Sequence, residues 1–398
     1  MPKVTIPVGP QHPALKEPIN FMVSVDGETI VDADMNLAYS HRGIEKLAES
    51  KTYLQNIYLV ERICGICSHT HTTCFVQGVE ELMGIEVPER GLYIRTLVAE
   101  LERIHSHLLW TGVAGHEIGF DTLFMYTWRD RELALDLLEM ITGNRVNYGI
   151  NTIGGVRRNI KAGMKDQILK HIGKLEERVQ YYTDMATTES TVLLRAEGVG
   201  HLPENEARKF CAVGPTARAS NIPTDVRKED PYAAYEELDF ELITSDSCDI
   251  LGRLIVRMQE MVESCKMARQ LIENLPSGPI RAPMSREVPA GEVVSRYEAP
   301  RGECLYYVKS NGTFYPERLK VRASTYANWP AVVYSLKGYY IADIPLIIAA
   351  IDPCMSCTSR VAILDTKDGN ERKVLDMDYL RTYGIKWYKE HGRGVRRR

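Results

Sequence analysis

No stretch of this chain is apolar for long enough to span a bilayer as a helix. The nearest run, 331–351, is interrupted by Lys337, Asp343 and Pro345, whereas a spanning helix needs about 20 apolar residues. The N-terminus also lacks the charged-then-apolar pattern of a signal peptide, so the chain is expected to be soluble and to reach a membrane only through partners. Charge of either sign is not in excess: 49 Lys and Arg against 53 Asp and Glu leave a net −4 over 398 residues, which argues against a nucleic-acid binder. The only basic cluster, Arg393 with Arg396, Arg397 and Arg398, reads as a solvated terminus. There is no internal repeat, which excludes a solenoid or propeller. The evenly spaced cysteine framework of a small secreted domain is lacking too. Nine cysteines, an odd number, point to a reducing compartment in which thiols serve metal binding or redox chemistry.

What is present is a globular composition, 44% hydrophobic and 26% charged, at a length that buries a core without staples. The spacing predicts a loop over 1–19 around Gly9-Pro10-Gln11-His12-Pro13, then a hairpin turning at Asp26-Gly27. A helix is expected over 44–63. Leu97, Leu101, Ile104 and Leu108, then Leu133, Leu137, Leu138 and Ile141, line single helix faces, with Gly112, Gly115 and Gly119 read as breaks between them. Ile168, Ile172, Leu175, Val179, Tyr182 and Met185 mark a third long helix, and the run from Ile250 to Ile272 a fourth. Four such stripes are buried most simply in a bundle. Residues 198–247 read as irregular, β-formers return at 297–301 and 305–308, a helix is expected over 326–340, and a hairpin over 361–375. The fold class is therefore mainly α (α+β), a central long-helix bundle with peripheral β-hairpins. One domain is expected over 1–398: an N-terminal loop and hairpin (1–43), a helical core (44–290), a β and helix segment (291–360) and a C-terminal extension (361–398).

The chemistry lies in two Cys-x-x-Cys pairs. Cys64-Gly65-Ile66-Cys67 is answered, 287 residues after Cys67, by Cys354-Met355-Ser356-Cys357. Each pair can turn two sulfurs onto one ion, and two pairs make a four-thiolate site suited to zinc, an iron-sulfur cluster, or nickel and iron. Spacing alone favours structural zinc. Against zinc, the pairs stand at opposite ends of a large helical chain rather than on one small module, and each is embedded among chemically useful residues. Glu61, Arg62, His69 and His71 surround the first, Asp352 and Arg360 the second.

Arg62-Ile63-Cys64-Gly65-Ile66-Cys67 with His71, taken with Asp352-Pro353-Cys354-Met355-Ser356-Cys357, resembles the paired signature of the large, catalytic subunit of nickel-iron hydrogenases. The resemblance covers nearly the whole chain. Gly9 to Pro13, His41-Arg42-Gly43-Ile44-Glu45, Glu102-Arg103-Ile104-His105-Ser106-His107, Gly143-Asn144-Arg145-Val146-Asn147-Tyr148, Gly154-Gly155-Val156-Arg157-Arg158 and Tyr297-Glu298-Ala299-Pro300-Arg301-Gly302-Glu303 resemble the energy-converting, membrane-bound branch (group 4). That branch is related to the quinone-site subunit of respiratory complex I, which lacks the four cysteines kept here.

The resemblance implies roles. Cys64 and Cys354 match terminal nickel ligands, Cys67 and Cys357 thiolates shared with an iron that carries carbon monoxide and cyanide. Dihydrogen would be split heterolytically, with the proton taken by a terminal thiolate such as Cys354. Arg301 matches the guanidinium over the open metal position, with Asp352 as its carboxylate neighbour. Glu17 matches the first proton acceptor, His71 a hydrogen-bond partner of a bridging sulfur, and Ser324 and Thr325 partners of a cyanide. Where uptake hydrogenases place a magnesium-holding histidine after the second pair, this chain has Arg360, so magnesium is not expected and an ion pair between Arg360 and Glu45 is predicted in its place. Cys74, Cys211, Cys248, Cys265 and Cys304 have no paired spacing, so no iron-sulfur cluster is expected in this chain. Electrons would then pass through a small iron-sulfur subunit, with Glu102 to His107 and the N-terminal loop as contact surfaces, to or from a ferredoxin-like donor. Other hydrophilic subunits and an ion-translocating membrane arm complete the implied complex, placing the chain on the cytoplasmic side of the cell membrane. Two other readings stay open: a complex I-like or sulfur-reducing subunit of the same ancestry, and a non-catalytic assembly subunit stabilised by zinc.

Overall fold

The structure, a computed structural model, describes residues 4–13, 15–359 and 377–391. It opens with an antiparallel sheet of β1 (Val4–Val8), β2 (Asn20–Asp26) and β3 (Thr29–Asn36), in which Val8 faces Phe21 and Asp26 faces Thr29 across the turn. Gly27 sits there at φ 62°, a left-handed conformation that costs glycine nothing. Alternate residues Phe21, Val23 and Val25 are buried, and Phe21 meets Trp329 edge-on at 5.9 Å.

The helix expected over 44–63 is two: α1 (Ile44–Ala48) and α2 (Tyr53–Glu61). Thr52 and Gln55 form a reciprocal capping box that starts the second helix and so divides the stretch. α3 (Ser68–Met83) follows the first cysteine pair and leads to α4 (Glu89–Ile118), 30 residues long. Gly112 and Gly115 do not break that helix, as the spacing suggested; they thin it. A Cβ on Gly112 would lie 2.5 Å from Trp128 Cδ1, on the neighbouring α5 (Asp121–Thr142), so the glycine permits the close approach of the two helices. Gly119, at φ 92°, ends α4.

After the two-residue strands β4 (Asn151–Thr152) and β5 (Gly155–Val156) comes α6 (Lys165–Thr188), then four short helices: α7 (Ser190–Ala196), α8 (Glu204–Lys209), α9 (Pro215–Arg218) and α10 (Val226–Glu229). α11 (Ile250–Glu273) closes the bundle. α4, α5, α6 and α11 bury the stripes read from the sequence in one core, with Leu97, Leu101, Leu137, Ile172, Leu175 and Met258 each at most 1% exposed. A second antiparallel sheet, β6 (Gly291–Ala299), β7 (Gly302–Ser310) and β8 (Pro316–Arg322), lies against α3, where Gly78 lets Val293 and Ser295 pack close to the helix. α12 (Ser324–Leu336), α13 (Ile344–Ala349) and the single turn α14 (Met355–Thr358) then carry the chain back to the first cysteine pair. The architecture is the expected one, mainly α with a long-helix bundle and small peripheral sheets. The hairpin expected over 361–375 lies outside the described residues; beyond it stands α15 (Met377–His391), which the sequence reading did not place.

Candidate metal centre

The first cysteine pair sits in the loop between α2 and α3, and Cys67 is the residue that precedes the first turn of α3. Cys64 Sγ accepts hydrogen bonds from the backbone N–H groups of Ile66 and Cys67, 3.3 Å each, which is how a tight Cys-x-x-Cys loop steadies a thiolate. The second pair stands at the corresponding place before and within α14. Asp352, at φ 57°, bends the chain there, and Cys354 donates its N–H to Thr325 Oγ1 at 3.3 Å.

The fold brings the pairs together. Cys354 Sγ lies 3.4 Å from Cys64 Sγ and 2.7 Å from Cys357 Sγ. Two overlapping sets, Cys64, Cys354 and Cys357 on one side and Cys67, His71 and Cys357 on the other, each hold their ligand atoms within 4.8 Å of one another. Cys357 belongs to both, so the donor set has the outline of two adjoining positions with shared sulfur. All four cysteines are buried. Crowding sets their protons against each other. Thiol donors, Cys354 first, hold Cys64 well below its usual range as a thiolate, while burial pushes Cys357 well up. Four thiolates at this separation coexist only around cations, so the donor chemistry fits a soft metal centre.

Two cavities flank the sulfurs. One, of about 440 Å³, reaches Cys64, Cys354, Arg301 and Asp352 and is walled mainly by apolar groups such as Leu109, Trp110, Val113 and Trp128. The other is a crevice of about 10 Å³ beside Cys67 and Cys357, lined by His71, Ser324, Thr325 and Cys304. Arg301 bridges the two. Its Nε donates to the Asp352 carbonyl at 2.6 Å, Nη2 to Asp352 Oδ1 at 2.7 Å and Nη1 to Ser106 Oγ at 3.3 Å. The turn holding Arg301 is fixed by backbone contact: a Cβ on Gly302 (φ 115°) would meet Gly214 N at 2.6 Å.

Glu17, half-buried, lines the large cavity and accepts from Met355 N at 2.6 Å, from Ser356 N at 3.2 Å and from the Ser356 hydroxyl. His71 pairs through Nδ1 with the Tyr306 hydroxyl at 2.8 Å and places Nε2 3.7 Å from Cys357 Sγ. Ser324 and Thr325 occupy the first turn of α12 at the small crevice. Glu45 accepts from Val321 N at 3.0 Å; its proposed partner Arg360, and hence that ion pair, lies outside the described residues. One expectation fails. Glu102 to His107 offer no contact surface, because every residue of that segment is buried inside the bundle.

The sequence placed Glu102 only on that contact surface, yet its carboxylate receives N–H groups of the first turn of α3, from His69 at 2.7 Å and Thr70 at 3.0 Å, and the Thr70 hydroxyl at 2.7 Å. It thereby caps the helix that follows Cys67 and carries His71. The available signal was a glutamate on an otherwise core-facing helical stripe. Tyr306 and Cys304 were missed as well; both come from β7, whose inward positions could be assigned to the site only once the sheet was seen to lie against α3.

The family described as "Respiratory-chain NADH dehydrogenase, 49 Kd subunit" matches residues 117–287 and 282–360, and that described as "Nickel-dependent hydrogenase" matches 42–111. The "Carbon monoxide-induced hydrogenase" of Rhodospirillum rubrum is 41% identical over 90% of this chain and 100% of its own length. The "Membrane-bound hydrogenase subunit alpha" of Pyrococcus furiosus is 42% identical over 95% of this chain and 92% of its own. A chain of the membrane-bound sulfane sulfur reductase, an archaeal respiratory membrane complex, superposes with a TM-score of 0.86 at 32% identity, covering 90% of this chain and 98% of that one. No helix among the described residues is long and apolar enough to cross a membrane. The chain belongs to the family of large subunits that the membrane-bound, energy-converting nickel-iron hydrogenases share with the 49 kDa subunit of respiratory complex I.

Proposed function

We propose that the chain is the catalytic subunit of an energy-converting nickel-iron hydrogenase, splitting dihydrogen or reducing protons to it. The observation that carries this is the convergence of four cysteines from two distant motifs beneath the Arg301–Asp352 pair, at the end of an apolar cavity. Cys64 and Cys354, on the cavity side, would hold nickel, and Cys67 and Cys357 would be shared with iron, with Ser324 and Thr325 as hydrogen-bond partners of a cyanide it carries. When bound, such a centre supplies the two-electron chemistry of heterolytic dihydrogen cleavage. The chain's own groups supply the rest. Arg301 directs a fixed charge at the open side, held by Asp352. Cys354 sulfur receives the proton, and Glu17, hydrogen-bonded to the two residues that follow Cys354, takes it onward.

Electrons pass to or from a separate small iron-sulfur subunit and a ferredoxin-like donor, and a membrane arm uses the energy for ion translocation, with this chain on the cytoplasmic side. A second reading, reduction of sulfur compounds, is favoured by the likeness to the sulfane sulfur reductase chain and by a cavity far larger than dihydrogen requires. Purification of the native complex, metal analysis and infrared spectroscopy decide between them. Nickel and iron, infrared bands of bound carbon monoxide and cyanide, and dihydrogen evolution from reduced viologen are expected. A fully metallated complex that evolves none and consumes polysulfide would establish the second reading instead. Zinc at one per chain without iron would end both.

A further inference from the structure

α11 carries two arginines one turn apart, Arg253 and Arg257, that are 1% and 0% exposed. Both guanidiniums are short of partners. Arg253 gives Nη2 to the Gly200 carbonyl at 2.8 Å, and Arg257 gives Nη1 to the Arg253 carbonyl at 2.9 Å. Nε and Nη1 of Arg253 and Nε and Nη2 of Arg257 have no hydrogen-bond partner. Among the described residues, no carboxylate forms an ion pair with either.

The acids near them attract them without closing an ion pair. Asp352 is held by Arg301 at 2.7 Å. Glu260 is held by Arg218 at 2.8 Å and His107 at 3.0 Å. Asp249, one turn before Arg253, is that guanidinium's strongest attraction but spends its two oxygens on Gly252 N and Gly198 N, at 2.8 Å each, and makes no ion pair with it. Burial pulls both guanidinium pKa values down to about 10, the direction expected of cations without adequate counter-charge. Two buried cations with no ion pair and two unbonded N–H groups each are costly to keep, and a neighbour that offsets that cost must be anionic.

The site lies in the right place. The Arg257 guanidinium stacks 4.2 Å over Trp110, which lines the large cavity that reaches Cys64 and Cys354. Asp352, two residues from Cys354, is the strongest attraction that Arg257 feels. One divalent ion held by four thiolates has a net charge of −2, and adding a second divalent ion with two cyanides leaves the same −2. Arg301 favours the thiolates locally, but paired with Asp352 it adds no net charge to the site. We propose that Arg253 and Arg257 are the buried counter-charge of the metal centre, two fixed positive charges that favour the loaded, anionic site.

The proposal rests on the four cysteines binding metal, and on nothing about which substrate is turned over. It is tested on the full chain with cobalt(II) as the probe, following thiolate-to-metal absorption, alongside denaturant unfolding in chelator. Arg257→Met is expected to bind cobalt at least tenfold more weakly, and to unfold in chelator at a denaturant concentration equal to or above that of the wild type. Arg257→Lys, which keeps the charge, should retain affinity within about threefold. Arg253→Met, away from the tryptophan, carries the same expectation as Arg257→Met and replaces it if that variant does not fold. Cobalt affinity within twofold of the wild type in both methionine variants would overturn the proposal, as would an equal loss in Arg257→Lys. Absence of cobalt binding by the wild type would instead overturn the reading of the cysteines, and this inference with it.

Discussion

Glu17 commits both carboxylate oxygens to the segment that carries Cys354: Oε2 to Met355 N and Ser356 N, Oε1 to the Ser356 hydroxyl. A glutamine there keeps one acceptor oxygen for the two N–H groups and nearly the same volume, but it cannot carry a proton. Glu17→Gln should therefore leave metal content and fold intact while proton transfer fails. Dihydrogen evolution is expected to fall about 10²-fold or more, the usual scale for losing a positioned acid or base. Metal analysis and a viologen assay on the same preparation check this, and turnover within threefold of the wild type would remove Glu17 from the proton route. Arg301 differs in kind: three hydrogen bonds to Asp352 and Ser106 fix its guanidinium, so the role proposed for it is that of a placed charge and not a proton carrier. The place of both residues beside the cysteines was legible before the structure, though only through resemblance, since a glutamate beside Pro18 and an arginine in a turn have no local signature.

α3 shows why other parts were not legible. Its first turns, Ser68-His69-Thr70-His71-Thr72-Thr73, are wholly buried yet polar, so the apolar stripe that revealed α4, α5, α6 and α11 is absent at its start. The chain invests this helix with partners instead: Glu102 at the N-terminus, Tyr306 on His71, and Asn151 on Thr72 and Thr73. Such partners come from elements 32 to 235 residues away, beyond any window of periodicity. The β2–β3 hairpin was readable for the opposite reason, because alternation and Asp26-Gly27 are local. Glu102→Ala should cost the folded chain about 2–4 kcal/mol, because three buried donors at the start of α3 lose their acceptor together. Glu102→Gln, with one acceptor oxygen left, should cost less. Denaturant unfolding measures the difference, and an alanine variant within 0.5 kcal/mol of the wild type, roughly the range of neutral surface changes, would mean that water replaces the carboxylate freely.

Across the whole molecule the same habit recurs: the apolar core around α4 is threaded by buried polar groups from α3, α4, α11 and β6, and that seam has a consequence for stability against pH. Burial first of all drives His69 and His105 down to about 3 and His107 to about 4, from an ordinary 6.5. These bases are neutral when folded and charged when unfolded below 6.5, so the unfolded chain binds three more protons, and the stability they allow is present above 6.5 and lost as pH falls towards 4. Burial also raises Glu298 to about 7 and Glu102 to about 8 from 4.5. For these acids the sign is reversed: the folded chain holds the extra protons, and stability declines as pH rises from 4.5 through the raised values. Between pH 5.5 and 6.8 the two carboxyls contribute a steady slope, while the histidine contribution disappears across 6.5. The slope of unfolding free energy against pH should therefore drop by about three protons there, about 4 kcal/mol per pH unit when complete. The Cys64 thiolate adds a contribution of the histidines' sign, which raises the whole limb without moving the break. Urea titrations of the chelator-treated full chain at quarter-unit steps from pH 5 to 8 locate the bend. A straight line through 6.5 would mean that these histidines are charged in the folded chain, and that the seam is hydrated rather than dry.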